Sequence, residues 1–185
     1  VRPLPGECTS AAPTPRWRKV ARPIRDAVTS EVYDKNRKIF GQAFGSDQLD
    51  GALLILPLPH FVTFDDPRMN RTVDAILRDL QQDGLILRYR ADHTDDGLSG
   101  EEGTFLACSF WMAEVLARQD RVEEARVLFD RASSTSSELG LFSEEYDPRA
   151  ERMLGNFPQA LTHLAHIAAA VAIARASGDI TASTY

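Results

Sequence analysis

Apolar residues recur at helical spacing near the start of the chain and again further along. From Trp17 to about Phe40 they fall three or four positions apart, which predicts a helix. Pro23 lies inside this helix and predicts a kink, because proline lacks the backbone donor and crowds the preceding turn. The capping signal Asp65–Pro67 begins the next predicted helix, and Gly84 ends it. Each helix presents one apolar face.

Two further segments are apolar around the whole circumference of a helix. The run from Leu49 to Leu58 is interpreted as a helix with Ser46 or Asp47 as its cap, and Phe105 to Arg118 as another helix. A helix that is apolar on all sides is buried on all sides. These two segments therefore predict an inner layer.

The last third of the chain is predicted to hold two helices joined by a long loop. An amphipathic helix runs from Arg121 to about Glu138, and residues 140–155 form the loop. Asn156 is expected to cap the last helix and Pro158 to lie in its first turn. The buried face of that helix is predicted to consist of Leu161, Leu164, Ala165, Ala168, Val171 and Ala172.

Polar outer helices alternating with apolar inner ones predict an all-α fold with little or no sheet. About six helices in this order are typical of a double-layered helical barrel or a helical solenoid. Residues 1–16 are rich in Pro, Ser, Thr and Ala and are expected to be a disordered tail. The helical domain is expected to span residues 17–177, and residues 178–185 to form a loose tail.

The net charge and the positions of the cysteines limit the binding partners and the cellular location that we expect. The formal net charge is -6, which argues against a nucleic-acid partner, and no apolar run is long enough to predict a membrane span. Nine Lys/Arg against four Asp/Glu make residues 1–40 basic, which we interpret as a solvated helix face. Cys8 and Cys108 lie in unrelated contexts, so reduced thiols and a cytoplasmic location are expected.

The segment LFSEEYDPR carries the strongest candidate chemistry. Glu144 and Glu145 are adjacent carboxylates in the predicted loop, with Phe142 and Tyr146 beside them. Sugar-binding sites combine carboxylates with flat apolar faces, whereas a surface acidic turn needs no aromatic neighbours. Composition alone does not decide between a sugar-binding site and a surface acidic turn.

Other motifs indicate less. Asp92, Thr94 and Asp96 imitate part of a calcium loop, but Gly103 stands where the twelfth-position Glu belongs, so a solvated turn is expected. His163 lies without a matching set of metal ligands. We expect neither a metal nor a cofactor.

A helical hairpin offers a non-enzymatic alternative. The stretch WMAEVLARQDRVEEARVLFDRA resembles a tetratricopeptide hairpin, but the 34-residue recurrence of such repeats is absent from the sequence. The alternative function is a helical interaction module in which the glutamates belong to the surface.

Three blocks in order resemble glycoside hydrolase family fifteen, the family of glucoamylases and bacterial trehalases. They are FGSDQLDGALLILPL, EEGTFLACSFWMAEVLARQDRVEEARVLFDRA and GLFSEEYDPRAERMLGNFPQALTHLAHIAAA. The resemblance implies the C-terminal half of an (α/α)6 barrel, with six inner and six outer helices in the whole barrel. It also implies inverting hydrolysis of an α-linked glucose saccharide: trehalose, maltose or a dextrin.

The resemblance also assigns roles to residues. It places the general base on Glu144, with Glu145 as the alternative, because Glu145 stands where related glucoamylases have Gln. The family's acid belongs to a Trp-Glu motif, and neither Trp in this sequence is followed by Glu. The isolated chain is therefore expected to be inactive, with the N-terminal half of the barrel as a candidate partner. Further sugar contacts are expected from Glu102, Gly103, Trp111 and Tyr146.

Overall fold

Five α-helices form most of the computed structural model, which describes residues 14–90 and 103–180. The helices are α1 (Thr14–Ala27), α2 (Pro67–Leu80), α3 (Leu106–Arg118), α4 (Val122–Ser133) and α5 (Ala160–Ala176). A π-helical turn spans Val28–Val32 and a 3-10 turn spans Gly51–Ile55. The predicted all-α class is confirmed, although short strands accompany the helices.

Antiparallel pairing joins these strands into two hairpins and a three-stranded sheet. The first hairpin pairs β1 (Tyr33–Asp34) with β2 (Ile39–Phe40), and the second pairs β3 (Gln81–Gln82) with β4 (Leu85–Ile86). The sheet has the order β5 (Thr104–Phe105), β6 (Glu145–Asp147), β7 (Arg152–Leu154). Its first strand runs directly into α3, so the sheet lies at the N-terminus of that helix.

Helix α3 is the centre of the core. It packs against α4, α5 and the 3-10 turn, and all of its residues except Trp111 and Arg118 are buried. The predicted inner helix from Phe105 to Arg118 is therefore confirmed within one residue. Burying a large side chain such as Phe110 contributes about 1.5–3 kcal/mol, so a helix buried at nearly every position contributes strongly to stability.

Helices α1 and α5 each leave an apolar stripe uncovered. On α1 the stripe contains Trp17 and Ile24, each 57% exposed, and on α5 it contains Leu161, Leu164 and Ile167, with Leu164 64% exposed. The opposite face of α5 packs on α3. In the part of the chain that the structure describes, none of the helices has the length and apolarity to cross a membrane.

The first predicted helix ends earlier than expected. The π-helical turn stops at Val32, and the chain then folds into the β1–β2 hairpin instead of continuing to Phe40. Asp34 causes the turn, because its carboxylate accepts the backbone N–H groups of Asn36 (2.8 Å) and Arg37 (3.0 Å). Such a local side-chain bond competes with helix formation.

The apolar run from Leu49 to Leu58 is also shorter as a helix than predicted. Only the 3-10 turn forms, and its cap is Asp50, not Ser46 or Asp47, because the Asp50 carboxylate accepts the Ala52 N–H at 2.6 Å. The side chains of this run are not all buried, since Ile55 is 39% exposed. A run rich in leucine and proline does not by itself distinguish a helix from an irregular buried segment.

The expected long loop and the start of the last helix differ most from the prediction. Within the predicted loop, strands β6 and β7 form a hairpin, and α5 begins at Ala160 with Gln159 as its cap. Asn156 and Pro158 both lie before α5, so Asn156 does not cap the helix and Pro158 is not in its first turn. Of the six residues predicted for the buried face, only Ala165 and Ala172 are fully buried. The other fully buried residues of α5 are Thr162, Ala169 and Ile173, so the face is rotated from the predicted one.

Two predicted helices begin as expected but end early. Helix α2 begins at Pro67 with Asp66 as its cap and ends at Leu80 instead of at Gly84. Helix α4 begins at Val122, one residue after the predicted start, and ends at Ser133, before Glu138. Gly84 lies in the β3–β4 turn that follows α2. The expected tails lie largely outside the described residues, and α1 begins at Thr14.

Candidate active site

The three-stranded sheet brings the candidate loop against the entrance of α3. Thr104 pairs with Tyr146 and Phe105 with Glu145 across β5 and β6. This pairing places Gly103, which immediately precedes β5, beside the Glu-Glu-Tyr segment. Residues about 40 positions apart in the sequence therefore form one site.

Glu144 is held through both its backbone and its side chain. Its N–H donates to the carbonyl of Asn156 (2.9 Å), and its own carbonyl accepts the N–H of Leu106 (3.1 Å). The carboxylate oxygen Oε2 accepts two further bonds, from the backbone N–H of Asn156 (3.1 Å) and from its side-chain Nδ2 (2.9 Å). Within the described residues, the other oxygen, Oε1, accepts no hydrogen bond.

Gly155 allows the chain to pass directly under that carboxylate. Its φ is +70°, and a Cβ at this position would lie 2.8 Å from Oε2 and 2.9 Å from Cβ of Glu144. A side chain would therefore be strained by the backbone conformation and would displace the glutamate. Gly155 thus makes room for the Glu144 carboxylate, and Asn156 donates hydrogen bonds to it.

Glu145 belongs to a different set of contacts. Its Oε2 accepts the backbone N–H of Gly103 at 3.2 Å. A Cβ on Gly103 would lie 2.9 Å from Leu154 and 3.1 Å from the carbonyl oxygen of Tyr146, so the close strand approach requires glycine. The neighbouring carboxylates of Glu144 and Glu145 thus have separate partners, and only that of Glu144 is bound by Asn156.

Helix α5 anchors the segment that leads into Glu144. The buried hydroxyl of Thr162 donates to the carbonyl of Ser143 (3.0 Å), and the N–H of Gln159 donates to the carbonyl of Phe142 (2.9 Å). The N–H of Phe142 donates to Nε2 of His163 (3.4 Å). Three bonds therefore fix the two residues before Glu144 to the first turn of α5.

An aromatic cluster lies behind this segment. The Phe142 ring meets Phe110 edge to face at 5.3 Å, and His166 stacks on Phe129 at 4.9 Å with an interplanar angle of 19°. Phe110 also contacts the His166 ring at 5.1 Å. The loop that carries Glu144 therefore shares its packing with α3, α4 and α5.

We expect this cluster to make stability depend on pH. Burial lowers the pKa of His166, and the nearby His163 adds to the lowering. The folded-state pKa then lies below the unfolded value of about 6.5, so stability from the neutral ring is complete above that pH and is lost as the pH falls through the folded-state value. His166→Phe should show a smaller loss of urea midpoint between neutral and mildly acidic pH than the wild type.

The exposed His60 supplies the control for that comparison. His60→Gln should lose stability on acidification as the wild type does, because this side chain lies outside the aromatic cluster. Equal pH dependence in His166→Phe and the wild type would show that another group titrates.

The remaining candidates are distributed around the site. Tyr146 is half-buried on β6 and packs on the core, as does Trp111 on α3. Glu102 and the acidic loop with Asp92, Thr94 and Asp96 lie outside the described residues. Backbone N–H groups, first that of Ala150 and then that of Arg149, lower the pKa of Asp147, so this carboxylate closes the hairpin turn.

The partners of Glu144 are not evident from the sequence. Asn156 and Gly155 were not candidates, because an Asn just before a Pro and a helix has the pattern of a cap. The one feature of the sequence that marks them is a Gly-Asn pair a few residues before the last helix. In residues 14–90 and 103–180, no group of three or more His, Cys, Asp or Glu side chains is arranged to hold a metal ion.

Several curated trehalases are similar to this chain. The trehalases of Mycolicibacterium smegmatis and Mycobacterium tuberculosis are each 46% identical over 168 residues, which is 91% of this chain and 25% of the relative. The trehalase of Thermoplasma volcanium is 39% identical over 155 residues, 83% of this chain and 24% of the relative. The chain thus spans about a quarter of the length of these relatives.

Solved glycosidases share the fold. A wild-type glycosidase superposes with a TM-score of 0.69 at 21% identity, covering 93% of this chain and 47% of that one. A glycosidase variant in complex with glucose superposes with a TM-score of 0.74 at 22% identity, covering 89% and 46%. The chain therefore corresponds to about half of a helical barrel. Since glycosyl hydrolases family 15 matches residues 7–171, the chain belongs to that family.

Proposed function

We propose that this chain supplies the general base of an inverting α-glucoside hydrolase and that the base is Glu144. The observation that carries the proposal is the state of its carboxylate: half-buried, with Oε2 held by Asn156 and Oε1 without a bond among the described residues. A base needs one oxygen placed to accept a proton from water. The family membership of the chain supports this role.

The reaction requires two carboxyl groups on opposite sides of the scissile bond. In inverting enzymes they stand about 6.5–9.5 Å apart, so that a water fits between the base and the anomeric carbon. The acid protonates the leaving oxygen while the base takes a proton from that water. Glu144 would accept the proton on Oε1.

Glu145 is a poor choice for the acid. It follows Glu144 directly, and its Oε2 accepts the N–H of Gly103 within the sheet. Adjacent residues cannot straddle a sugar ring. We propose that the acid comes from a part of the barrel that this sequence does not contain, in line with the absence of a Trp-Glu pair.

The uncovered stripes on α1 and α5 suit contact with that other part. They lie on the first and last of the described helices and include Trp17 and Leu164. Exposed apolar patches of this kind mark interaction sites. We propose the N-terminal half of the barrel as the partner that covers them.

The substrate we propose is trehalose, because the similar relatives are trehalases. Maltose and dextrins share the α-linked glucose unit and are the comparison substrates. Gly103 and Tyr146 are proposed to contribute sugar contacts from the sheet, and Trp111 from α3. We also propose a cytoplasmic location, with which the free thiol of Cys108 accords.

The test is glucose release with and without the rest of the barrel. The isolated chain should release no more than a trace of glucose from trehalose or maltose. Mixed with the portion of the M. smegmatis trehalase that it does not match, the chain should hydrolyse trehalose. Glu144→Gln should then lower the rate about 10²–10⁴-fold, the usual contribution of a general base.

Glu145→Gln is the matched control. This variant should retain most of the restored rate, since the Glu145 carboxylate accepts a hydrogen bond from Gly103 within the sheet. Restored hydrolysis that survives Glu144→Gln would sink the assignment of the base. Glucose release by the isolated chain, abolished by Glu144→Gln, would show that the acid is present after all. Stable binding of the other portion without hydrolysis would favour the interaction-module alternative.

A further inference from the structure

We propose that Asn156 is a positioning residue that acts through Glu144. It holds the oxygen Oε2, so that Oε1 alone is presented to a water molecule. The inference rests on the proposed role of Glu144 as the base and adds the group that orients it. Asn156 itself would not touch the sugar or accept the proton.

Three hydrogen bonds join the two residues. The N–H of Glu144 donates to the carbonyl of Asn156 (2.9 Å), while the backbone N–H and Nδ2 of Asn156 both donate to Oε2 (3.1 and 2.9 Å). Two donors from one residue on one oxygen hold the Glu144 side chain against Asn156 and fix the plane of its carboxylate. A change of the Glu144 side-chain rotamer would break both bonds together.

Gly155 sets the distance at which this contact forms. With φ at +70° it turns the backbone towards the carboxylate, and the position of a Cβ would be only 2.8 Å from Oε2. The positive φ is the conformation that glycine adopts without strain. The approach therefore brings the N–H of Asn156 to Oε2.

Packing and helix capping do not explain Asn156. The residue is exposed, so it fills no core position, and Gln159 provides the cap of α5 by accepting the Leu161 N–H. An asparagine at this place has one feature that an aspartate lacks: a neutral amide donor. An aspartate would place a second negative charge about 3 Å from Oε2 and repel it.

The direct test measures the χ1 and χ2 rotamer of the Glu144 side chain in the full 185-residue chain by side-chain NMR couplings. The wild type should show one rotamer. Asn156→Ala removes one donor, and Asn156→Asp replaces it with a repelling oxygen, so both should show averaged couplings, the Asp variant more strongly. Asn70→Ala is the control, because Asn70 bonds Gln119 in another part of the fold.

A second measurement uses trehalose hydrolysis with the complementing portion of the relative. Asn156→Ala should lower kcat about tenfold with KM within about twofold, because a bond to a charged group is lost while sugar contacts remain. An unchanged Glu144 rotamer in both variants would overturn the inference, and so would averaged couplings with unchanged kcat. If Glu144→Gln leaves hydrolysis intact, the proposed base fails, while the rotamer result still decides whether Asn156 holds this carboxylate.

Discussion

Phe110→Ala is expected to lower the free energy of unfolding by about 3–5 kcal/mol, the usual range for removing a buried phenylalanine. Phe110 is fully buried on α3 and contacts the rings of Phe129, Phe142 and His166. The edge-to-face geometry adds about 0.5–1.5 kcal/mol per pair beyond the buried area. The cavity would open where three helices and the Glu144 segment meet.

Urea unfolding followed by circular dichroism measures this effect. Phe44→Ala is the matched control, because the Phe44 side chain is 61% exposed and its removal should cost about 0.5 kcal/mol or less. Comparable losses in the two variants would contradict the central position of Phe110. A midpoint shift for Phe110→Ala with an unchanged slope would show that stability, not cooperativity, has changed.

The parts of the fold that the sequence predicts well are those with strong local signals. Asp66 and Pro67 begin α2, and the residues from Leu106 to Arg118 form the inner helix where its apolar character places it. In both cases local preference and burial favour the same conformation. Agreement between these levels is what makes a segment predictable.

Helix α5 shows where periodicity fails. Its residues are apolar on every side, so the pattern does not select a buried face. Contact with α3 makes that choice: Ala165 and Ala169 allow close approach, and Leu161 and Leu164 remain exposed. Small residues at the contact, rather than large ones, decide which face of α5 packs on α3. A prediction that ranks residues by the size of their apolar side chains therefore selects the wrong face.

The candidate site shows a different limit. The family resemblance indicates Glu144. The spacing of residues along the chain does not reveal that β5 pairs with β6 or that Asn156 donates a hydrogen bond to the Glu144 carboxylate. These contacts depend on a hairpin whose strands are only three residues long. Strands this short carry no alternation to recognise, so the site becomes visible only in three dimensions.

Gly51→Ala is expected to destabilise the chain because the 3-10 turn packs directly on α3. A Cβ at this position would lie 2.6 Å from Sγ of Cys108, 3.1 Å from its Cβ and 3.2 Å from the carbonyl oxygen of Leu87. The Gly51 N–H donates to the carbonyl of Arg88 at 2.6 Å, so the turn cannot retreat without loss of that bond. Overpacking of this kind costs about 1–3 kcal/mol.

A double-mutant cycle with Cys108→Ala identifies the cause. Cys108→Ala removes the sulfur atom that the new methyl group would strike, so the double variant should be more stable than the sum of the single losses implies, with a coupling of about 1–2 kcal/mol. Rescue should be partial, because the Leu87 carbonyl stays in place. Additive losses would show that the backbone around Gly51, and not its contact with α3, limits this position.

Thiol reactivity provides an independent measurement on the same pair. Burial raises the pKa of the Cys108 thiol well above its usual range, so at neutral pH a disulfide reagent reacts with it only when the turn opens from α3. Gly51→Ala should therefore speed the reaction by roughly the factor that its lost stability predicts, about tenfold for each 1.4 kcal/mol. A loss of stability without faster labelling would mean that the turn stays closed over the sulfur and that the strain lies elsewhere in the fold.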